Sequence, residues 1–173
     1  MNVAEIKKTD IANGEGVRVS LFVSGCTRRC KGCFNAVAWD FEYGKPFTEE
    51  VQEELLSALS PDYVAGLSLL GGDPFEPANQ IALLPFVKRV RERFPHKDIW
   101  CYTGYTFSDG VLAEKAANTA ATRELISLLD VLVDGPFVEE LKDIRLKFRG
   151  SSNQRVIDVK RTLESGSVVL YLS

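Results

Sequence analysis

The sequence has no long apolar run and no apolar leader. No run approaches the ~20 apolar residues that a membrane-spanning helix needs. The first ten residues, MNVAEIKKTD, are too polar for a secretory signal. These absences predict a cytoplasmic protein with no membrane partner. Thiols stay reduced in the cytoplasm, so clustered cysteines there indicate metal binding or catalysis rather than disulfides.

The sequence also lacks an excess of charge of either sign. It carries 21 basic and 24 acidic residues, which gives a formal net charge of −3. Nucleic-acid-binding domains usually carry a clustered positive charge, so we expect no nucleic-acid partner. The chain has 173 residues, 45% of them hydrophobic, and no repeat or low-complexity linker. This composition predicts a single domain over residues 1–173 with a core of its own.

Histidine and cysteine, the residues that most often bind transition metals, are few. The single histidine, His96, lies on a polar turn. Three of the four cysteines, Cys26, Cys30 and Cys33, fall within eight residues. Cys101 lies far away in an apolar run, where we expect it to be buried as a small hydrophobic residue. The three clustered cysteines are therefore the most unusual chemical feature of the chain.

Three clustered thiols favour an iron–sulfur cluster over zinc. Structural zinc takes four ligands, and the fourth would have to be His96 or Cys101, neither of which is well placed for it. Iron–sulfur clusters also normally take four cysteines. A 4Fe–4S cluster held by three leaves one iron open, as catalytic zinc sites keep a position open for substrate. We therefore expect a reactive 4Fe–4S cluster on Cys26, Cys30 and Cys33. A ferredoxin-like electron carrier and a zinc-binding module remain alternatives, each of which needs a fourth ligand.

Short apolar segments alternate with helical patterns along the chain. Strands are predicted at residues 17–24, 65–70, 98–102, 131–133, 155–159 and 168–172. Helices are predicted from Thr48 to about 60 and from 79 to 93, and a broken helical stretch is predicted to lead to 128–129. This alternation predicts an α/β fold with a parallel sheet and right-handed crossovers. A full eight-stranded barrel typically needs ~250 residues. We therefore expect a partial (incomplete) TIM-like barrel of parallel strands, with helices on the outside and one open side.

Each chemically unusual motif directly follows a predicted strand. The motifs are the cysteine run, Gly71-Gly72-Asp73-Pro74, Thr103-Gly104-Tyr105 and Asp134-Gly135-Pro136. The carboxyl ends of parallel strands meet at one edge of a sheet, so these motifs should share one rim. Gly71 and Gly72 allow backbone to approach a ligand closely, and the Asp73 carboxylate can accept a hydrogen bond from an ammonium group. Thr103 and Tyr105 are candidates for the same rim, although ordinary loop packing would also explain them.

The cysteine run resembles the signature of the radical S-adenosylmethionine (SAM) family. That signature, C-x-x-x-C-x-x-C with a neighbouring aromatic residue, corresponds to Cys26, Cys30, Cys33 and Phe34. The chain also resembles, over about residues 10–158, the activating proteins of anaerobic (class III) ribonucleotide reductase. The segments that carry this resemblance are LFVSGC at 21–26, LGGDPF at 70–75, DIWCYTGY at 98–105, DVLVDG at 130–135 and FRGSSNQ at 148–154.

The resemblance implies an oxidoreductase in which a reduced 4Fe–4S cluster cleaves SAM to methionine and a 5′-deoxyadenosyl radical. The radical would then take a hydrogen atom from a glycine of the reductase. The partners implied are that reductase and a one-electron donor such as flavodoxin or ferredoxin. By the same resemblance, the cluster is held by Cys26, Cys30 and Cys33. The cofactor contacts implied are Gly32, Cys33, Phe34, Gly71, Gly72 and Asp73.

One departure from the family and one basic segment leave two roles open. Related activating proteins often carry a lysine two residues beyond Asp134, where this chain has Pro136, so a carboxylate-binding role for that loop is in doubt. The basic residues Lys142, Arg145, Lys147, Arg149 and Arg155 are candidates for docking the reductase, or else form a solvated face. Within the same family, activation of pyruvate formate-lyase or a small-molecule reaction, such as that of a deazaguanine synthase, is the alternative.

Overall fold

An eight-stranded mixed sheet organises the chain, and the computed structural model describes all 173 residues. Its strands are β1 (Asn2–Asp10), β2 (Val17–Val23), β3 (Lys45–Pro46), β4 (Val64–Gly71), β5 (Asp98–Tyr102), β8 (Val131–Asp134), β9 (Arg155–Asp158) and β10 (Leu170–Leu172). A separate hairpin consists of β6 (Phe107–Ser108) and β7 (Val111–Leu112). The helices are α1 (Glu49–Leu59), α2 (Pro77–Arg93), α3 (Thr122–Ser127) and α4 (Val159–Ser165). The strand order is β10-β9-β8-β5-β4-β2-β1-β3.

The centre of the sheet is parallel, as the alternation of strands and helices predicted. Strands β2, β4, β5 and β8 pair in parallel, and their carboxyl ends lie at one edge. On either side the pairing is antiparallel, between β1 and β2 and between β8 and β9. Strands were predicted at 155–159 and 168–172, where β9 and β10 lie, but their antiparallel pairing and the strands β1 and β3 were not predicted. The site below lies at the carboxyl edge of the four parallel strands.

The two faces of the sheet carry different clusters of side chains, because successive residues of a strand point to opposite sides. Cys101 and Leu132 belong to a core of 27 buried residues shared with α1, α2 and α3. The predicted burial of Cys101 as a hydrophobe is confirmed. A second cluster consists of Trp100, Val131, Val133 and Val156. Tyr102 and Phe148 pack against this second cluster, on the face that the helices leave free.

Helices α1 and α2 begin and end close to where the sequence predicted, whereas α4 was not predicted. Thr48 caps α1, since its hydroxyl accepts a hydrogen bond from the Val51 amide at 3.3 Å. The longest helix, α2, has 17 residues and starts with Pro77 in its first turn. None of the helices combines the length and the apolar character that crossing a membrane requires.

Two parts of the chain differ from the prediction. Residues 2–10, where the sequence predicted no strand, form β1, and β1 pairs with both β2 and β3. The predicted helical stretch before Leu128 is α-helical only at α3, because residues 107–112 form the β6–β7 hairpin. The two-residue turn of that hairpin is Asp109-Gly110, and both residues have positive φ. An Asp-Gly turn with this geometry is typical of a tight hairpin.

Candidate functional site

A cavity of about 450 Å³ lies at the carboxyl edge of the parallel strands. The residues that the sequence singled out as cluster ligands or cofactor contacts all line it: Cys26, Cys30, Gly32, Cys33, Phe34, Gly71, Gly72 and Asp73. Thr103, Gly104 and Gly135, from the loops after β5 and β8, line the same cavity. The structure therefore brings the separate strand-end motifs to one place, as their positions in the sequence predicted.

The cysteines lie on a loop rather than a helix, and backbone hydrogen bonds hold the start of this loop. The Gly25 amide donates to the carbonyl of Ala38 at 2.7 Å, and the Cys26 amide donates to that of Trp39 at 3.1 Å. The Cys33 amide donates to the Cys30 carbonyl at 3.1 Å, which closes a turn between these two cysteines. All three cysteines are free thiols and half-buried.

The donor set of this loop suits a cluster better than a single ion. No three Cys, His, Asp or Glu side chains converge as the ligands of one metal ion would. The thiolates of a 4Fe–4S cluster each bind a different iron, so they stand apart and need no common centre. Soft thiolates are also the ligands that iron–sulfur clusters take. Three thiols on the wall of one cavity therefore fit a cluster that faces the cavity.

The surroundings of Cys26 disfavour a free thiolate. Burial raises the pKa of the Cys26 thiol above its usual value, and the carboxylates of Asp73 and Glu76 raise it further. A thiol must lose its proton to bind metal. Iron that binds Cys26 would therefore displace a proton that this thiol binds more tightly than an ordinary thiol does.

The two other residues considered as a fourth ligand lie away from the cavity. Cys101 is fully buried in the core on the helix side of the sheet, and burial raises its pKa well above the usual thiol value. His96 is exposed on the turn between α2 and β5. Neither residue lines the cavity.

Gly71 and Gly72 lie where protein backbones meet. A Cβ at Gly72 would lie 2.5 Å from the Gly25 carbonyl oxygen and 2.7 Å from that of Ala38. Gly71 has a φ of +124°, and its Cβ would lie 2.4 Å from the backbone of Val23. The structure thus gives these glycines a packing role that the sequence did not indicate. Their contact with a cofactor stays a prediction.

Asp73 is buried and ties two strand ends together. Its Oδ1 accepts hydrogen bonds from the Phe75 amide at 2.9 Å and from the Thr103 hydroxyl at 2.8 Å. Its Oδ2 accepts one hydrogen bond, from the Gly104 amide at 2.8 Å. A carboxylate oxygen can accept more than one hydrogen bond, so Oδ2 retains capacity for a further donor. Thr103 thereby belongs to the framework of the site, as its place after β5 suggested.

Burial raises the pKa of Asp73 to about 6, although its three hydrogen bonds favour the ionised form. The folded protein therefore binds this proton more tightly than the unfolded chain does. The resulting stability is fully present below about pH 4 and is lost as the pH rises through 6. A shift of this size is worth roughly 2–3 kcal/mol.

Replacing Asp73 with Asn is therefore expected to remove this part of the pH dependence. Urea unfolding of apo wild type and of Asp73→Asn, followed between about pH 4 and 7, compares the two. Relative to the variant, wild type should lose roughly 2–3 kcal/mol of unfolding free energy over this range. The other titrating groups are common to both proteins and cancel. Two pH profiles that run parallel would contradict the prediction.

A buried carboxylate that the sequence did not single out, Glu76, holds the cysteine loop. Glu76 is only 3% exposed, and its Oε1 accepts hydrogen bonds from the amide and the hydroxyl of Thr27, both at 2.8 Å. Thr27 directly follows the first cysteine, so Glu76 links this loop to the start of α2. Its place three residues after Asp73 was the only signal in the sequence.

Arg28 is a second residue of the site that the sequence did not single out. Its guanidinium lies 5.0 Å from the Tyr105 ring and 3.5 Å from Oε1 of Glu114. Its buried Nε has no hydrogen-bond partner, and the residue lines the cavity. Arg28 therefore connects the cysteine loop to the loop after β5, where Tyr105 lies beneath it.

The Asp134 side chain is occupied by the framework. It is buried, and it accepts hydrogen bonds from Arg155 Nε at 3.0 Å and from the Phe107 amide at 2.8 Å. Arg155 therefore holds β9 to the end of β8, and this ion pair takes it out of the candidate docking set. The Asn153 amide group donates to the Pro136 carbonyl at 2.7 Å, so the turn at 151–154 fastens the loop after β8.

Some of the other basic residues of this segment already have bonding partners within the chain, and some do not. Arg145 pairs with Asp143 at 2.8 Å, and Arg149 donates to the Gln154 carbonyl at 2.6 Å. Lys142 and Lys147 are exposed and make no ion pair. A docking role for this segment stays a prediction, and these two lysines are its free charges.

Comparison with known proteins identifies the class of protein to which this site belongs. Residues 12–157 match the model of a family described as a 4Fe-4S single cluster domain. The match contains all three clustered cysteines and ends inside β9. The class is thus a protein with a single 4Fe–4S cluster, in agreement with the donor set of the loop.

Curated relatives identify the family more closely. The chain is 47% identical to a protein of Pasteurella multocida over 156 residues, which are 89% of this chain and 95% of the relative. It is 42% identical to a protein of Escherichia coli K12 over 158 residues (90% and 97%), and 41% identical to one of phage T4 over 156 residues (90% and 93%). Each of these relatives is named anaerobic ribonucleoside-triphosphate reductase-activating protein. The chain belongs to this family, which confirms the resemblance seen in the sequence.

Proposed function

We propose that the chain activates an anaerobic ribonucleoside-triphosphate reductase by radical SAM chemistry. The observation that carries this proposal is the cavity that Cys26, Cys30, Cys33 and the Gly71–Asp73 turn line together. When bound there, a reduced 4Fe–4S cluster would supply the electron that cleaves SAM to methionine and a 5′-deoxyadenosyl radical. The names of the relatives support the target.

In this proposal the residues of the chain bind the cluster and orient SAM. The three thiolates hold the cluster against the cavity. Asp73, through its remaining Oδ2 capacity, accepts a hydrogen bond from the ammonium group of SAM. Gly32, Cys33 and Phe34 line the side of the cavity that takes the adenine, where Phe34 is 83% exposed and free to stack.

The protein substrate enters from the open side of the cavity. We propose that the sheet is the wall of a partial TIM-like barrel whose open side admits a loop of the reductase. The segment between β8 and β9 forms part of the cavity wall through Phe137, Ile144 and Phe148. Ile144 is 92% exposed. An apolar side chain in this position fits contact with a second protein. The reaction is the removal of a hydrogen atom from one glycine Cα of that loop.

The proposal is tested by mixing reconstituted, reduced protein with SAM and the reductase under anaerobic conditions. Electron paramagnetic resonance should detect a glycyl radical only when both SAM and the reductase are present. A reductase in which the target glycine is replaced by alanine is the matched control and should give no such signal. Turnover of a small molecule without the reductase, or a radical on pyruvate formate-lyase instead, would contradict the proposal.

A further inference from the structure

The start of the cysteine loop contains an unusual backbone conformation at Arg29. Its φ is +51°, in the left-handed region that residues other than glycine, asparagine and aspartate rarely adopt. Two other non-glycine residues of the chain have a positive φ, Asp109 in the β6–β7 turn and Phe148. A backbone conformation of this kind costs free energy and occurs most often where it serves a function.

Three contacts hold the segment that ends at Arg29. The Cys26 amide donates to the Trp39 carbonyl at 3.1 Å. The Thr27 amide donates to Oε1 of Glu76 at 2.8 Å. The Arg29 guanidinium lies 5.6 Å from the Trp39 ring, so Trp39 contacts both ends of the segment. Strained backbone persists only where the surrounding structure holds it, and these contacts provide that hold.

The next two amides of the segment, those of Arg28 and Arg29, donate to no backbone carbonyl. Their acceptor is the sulfur of Cys26. Burial raises the pKa of the Cys26 thiol, and these two amides act against burial because their hydrogen bonds favour the ionised sulfur. Successive amides beside a left-handed residue form a backbone nest, an anion-binding arrangement that also occurs at iron–sulfur sites. We call residues 26–29 the Cys26 nest.

The left-handed conformation of Arg29 connects the Cys26 nest to the second cysteine. The φ torsion of a residue sets the direction in which the chain leaves it. At Arg29 the chain turns so that the two amides contact the Cys26 sulfur while Cys30, the next residue, still lines the cavity. The strain at Arg29 therefore lies between two residues that would hold the cluster.

We propose that the Cys26 nest raises the reduction potential of the 4Fe–4S cluster through its two hydrogen bonds to the Cys26 sulfur, with Arg29 as the positioning residue. A cluster that accepts one electron gains one negative charge, and no bond or proton is transferred. N–H dipoles aimed at a ligand sulfur stabilise this reduced state more than the oxidised one, and hydrogen bonds to sulfur are known to set cluster potentials. The role belongs to the backbone of Arg29 rather than to its guanidinium.

Two neutral substitutions of Arg29 separate its backbone conformation from its charge. Asparagine tolerates the left-handed conformation, whereas the β-branched valine strongly disfavours it. Arg29→Asn and Arg29→Val both remove the guanidinium, so the loss of its charge is common to the two variants. Asp109→Val is the control, because it makes the same backbone change at a turn that does not line the cavity.

The first measurement is the midpoint potential of the reconstituted cluster, followed by electron paramagnetic resonance in an anaerobic redox titration. At the midpoint potential of Arg29→Asn, Arg29→Val should show a tenfold lower ratio of reduced to oxidised cluster, which is a shift of about 59 mV to more negative potential. Asp109→Val should keep the wild-type ratio within about twofold while its thermal unfolding temperature falls. Equal potentials of Arg29→Asn and Arg29→Val, or an equal shift in Asp109→Val, would overturn the inference.

The second measurement detects the hydrogen bonds to sulfur directly. In heavy water the iron–sulfur stretching bands of the resonance Raman spectrum shift when an N–H donor becomes N–D. This isotope shift should be the same in wild type and Arg29→Asn and smaller in Arg29→Val. An isotope shift that is unchanged in Arg29→Val would contradict the inference. If Arg29→Val holds no cluster, Arg29→Ala compared with Arg29→Gly makes the same test with less strain.

The inference rests on the proposed function only through the cluster, and the two can fail separately. Reconstituted wild type without the spectrum of a 4Fe–4S cluster would refute the proposed function. A cluster whose potential and isotope shift do not respond to the backbone of Arg29 would refute the role of the Cys26 nest alone.

Discussion

Cys30→Ala is expected to abolish SAM cleavage while leaving the protein folded. The substitution removes one of three thiols, and the cavity wall offers no replacement ligand, since Cys101 and His96 do not line it. The backbone bonds at the start of the cysteine loop involve Gly25 and Cys26 rather than the Cys30 thiol. Formation of 5′-deoxyadenosine should fall by more than roughly 10³-fold, to background, because the proposed chemistry depends on the cluster.

The matched control for this experiment is Cys101→Ser. Both substitutions remove a thiol, but Cys101 lies on the helix side of the sheet. Its variant should keep the iron and sulfide content of wild type and form 5′-deoxyadenosine, with some loss of stability because a hydroxyl is then buried. Iron analysis and circular dichroism separate loss of the cluster from loss of the fold. Loss of the cluster in Cys101→Ser would favour a four-cysteine electron carrier.

Gly72→Ala is expected to have the second largest effect, through the backbone. Its methyl group would lie 2.5 and 2.7 Å from the carbonyl oxygens of Gly25 and Ala38. Neither oxygen can move alone, because both belong to the backbone that holds the start of the cysteine loop. We expect a loss of about 1–3 kcal/mol in unfolding free energy. Since 1 kcal/mol corresponds to about 2–4 °C in a protein of this size, thermal unfolding should show the loss. Reconstituted iron content should fall with it.

The control for Gly72→Ala is Gly104→Ala, on the opposite wall of the cavity. Its Cβ would lie 2.6 Å from Nε of Arg28, an atom near the end of a flexible side chain that can turn aside. Thermal unfolding of this variant should stay within about 2 °C of wild type. If both variants unfold at the temperature of wild type, the packing role assigned to Gly72 is wrong.

The parts of the fold that could be predicted are those with a local cause. The run Asp98–Tyr102 is apolar and bounded by turns, and it forms β5 with those limits. The Thr48 cap likewise precedes α1. By contrast, β1 carries exposed lysines at Lys7 and Lys8 and depends on pairing with β2, a partner that its own sequence does not reveal. The β6–β7 hairpin had a local signal, Asp109-Gly110, that the helical interpretation passed over.

The candidate site, like the fold, has features that the sequence could predict and features that it could not. The cysteine spacing and the strand-end positions identified the residues that line the cavity, because ligand spacing and strand ends leave a mark in the sequence. The bonds that hold those residues leave no such mark. Glu76 and Thr27 are 49 residues apart, and Arg155 and Asp134 are 21 apart. The packing of Gly72 against Gly25 and Ala38 likewise requires the folded chain.

The backbone bonds around the cysteine loop bear on what would happen to the fold if the cluster were lost. The Gly25, Cys26, Gly72 and Asp73 amides all donate to backbone carbonyls, and none of these bonds uses a thiol. A chain that has lost its cluster would therefore keep the shape of its cysteine loop. Damage would then call for the insertion of new iron and sulfide rather than for synthesis of a new chain.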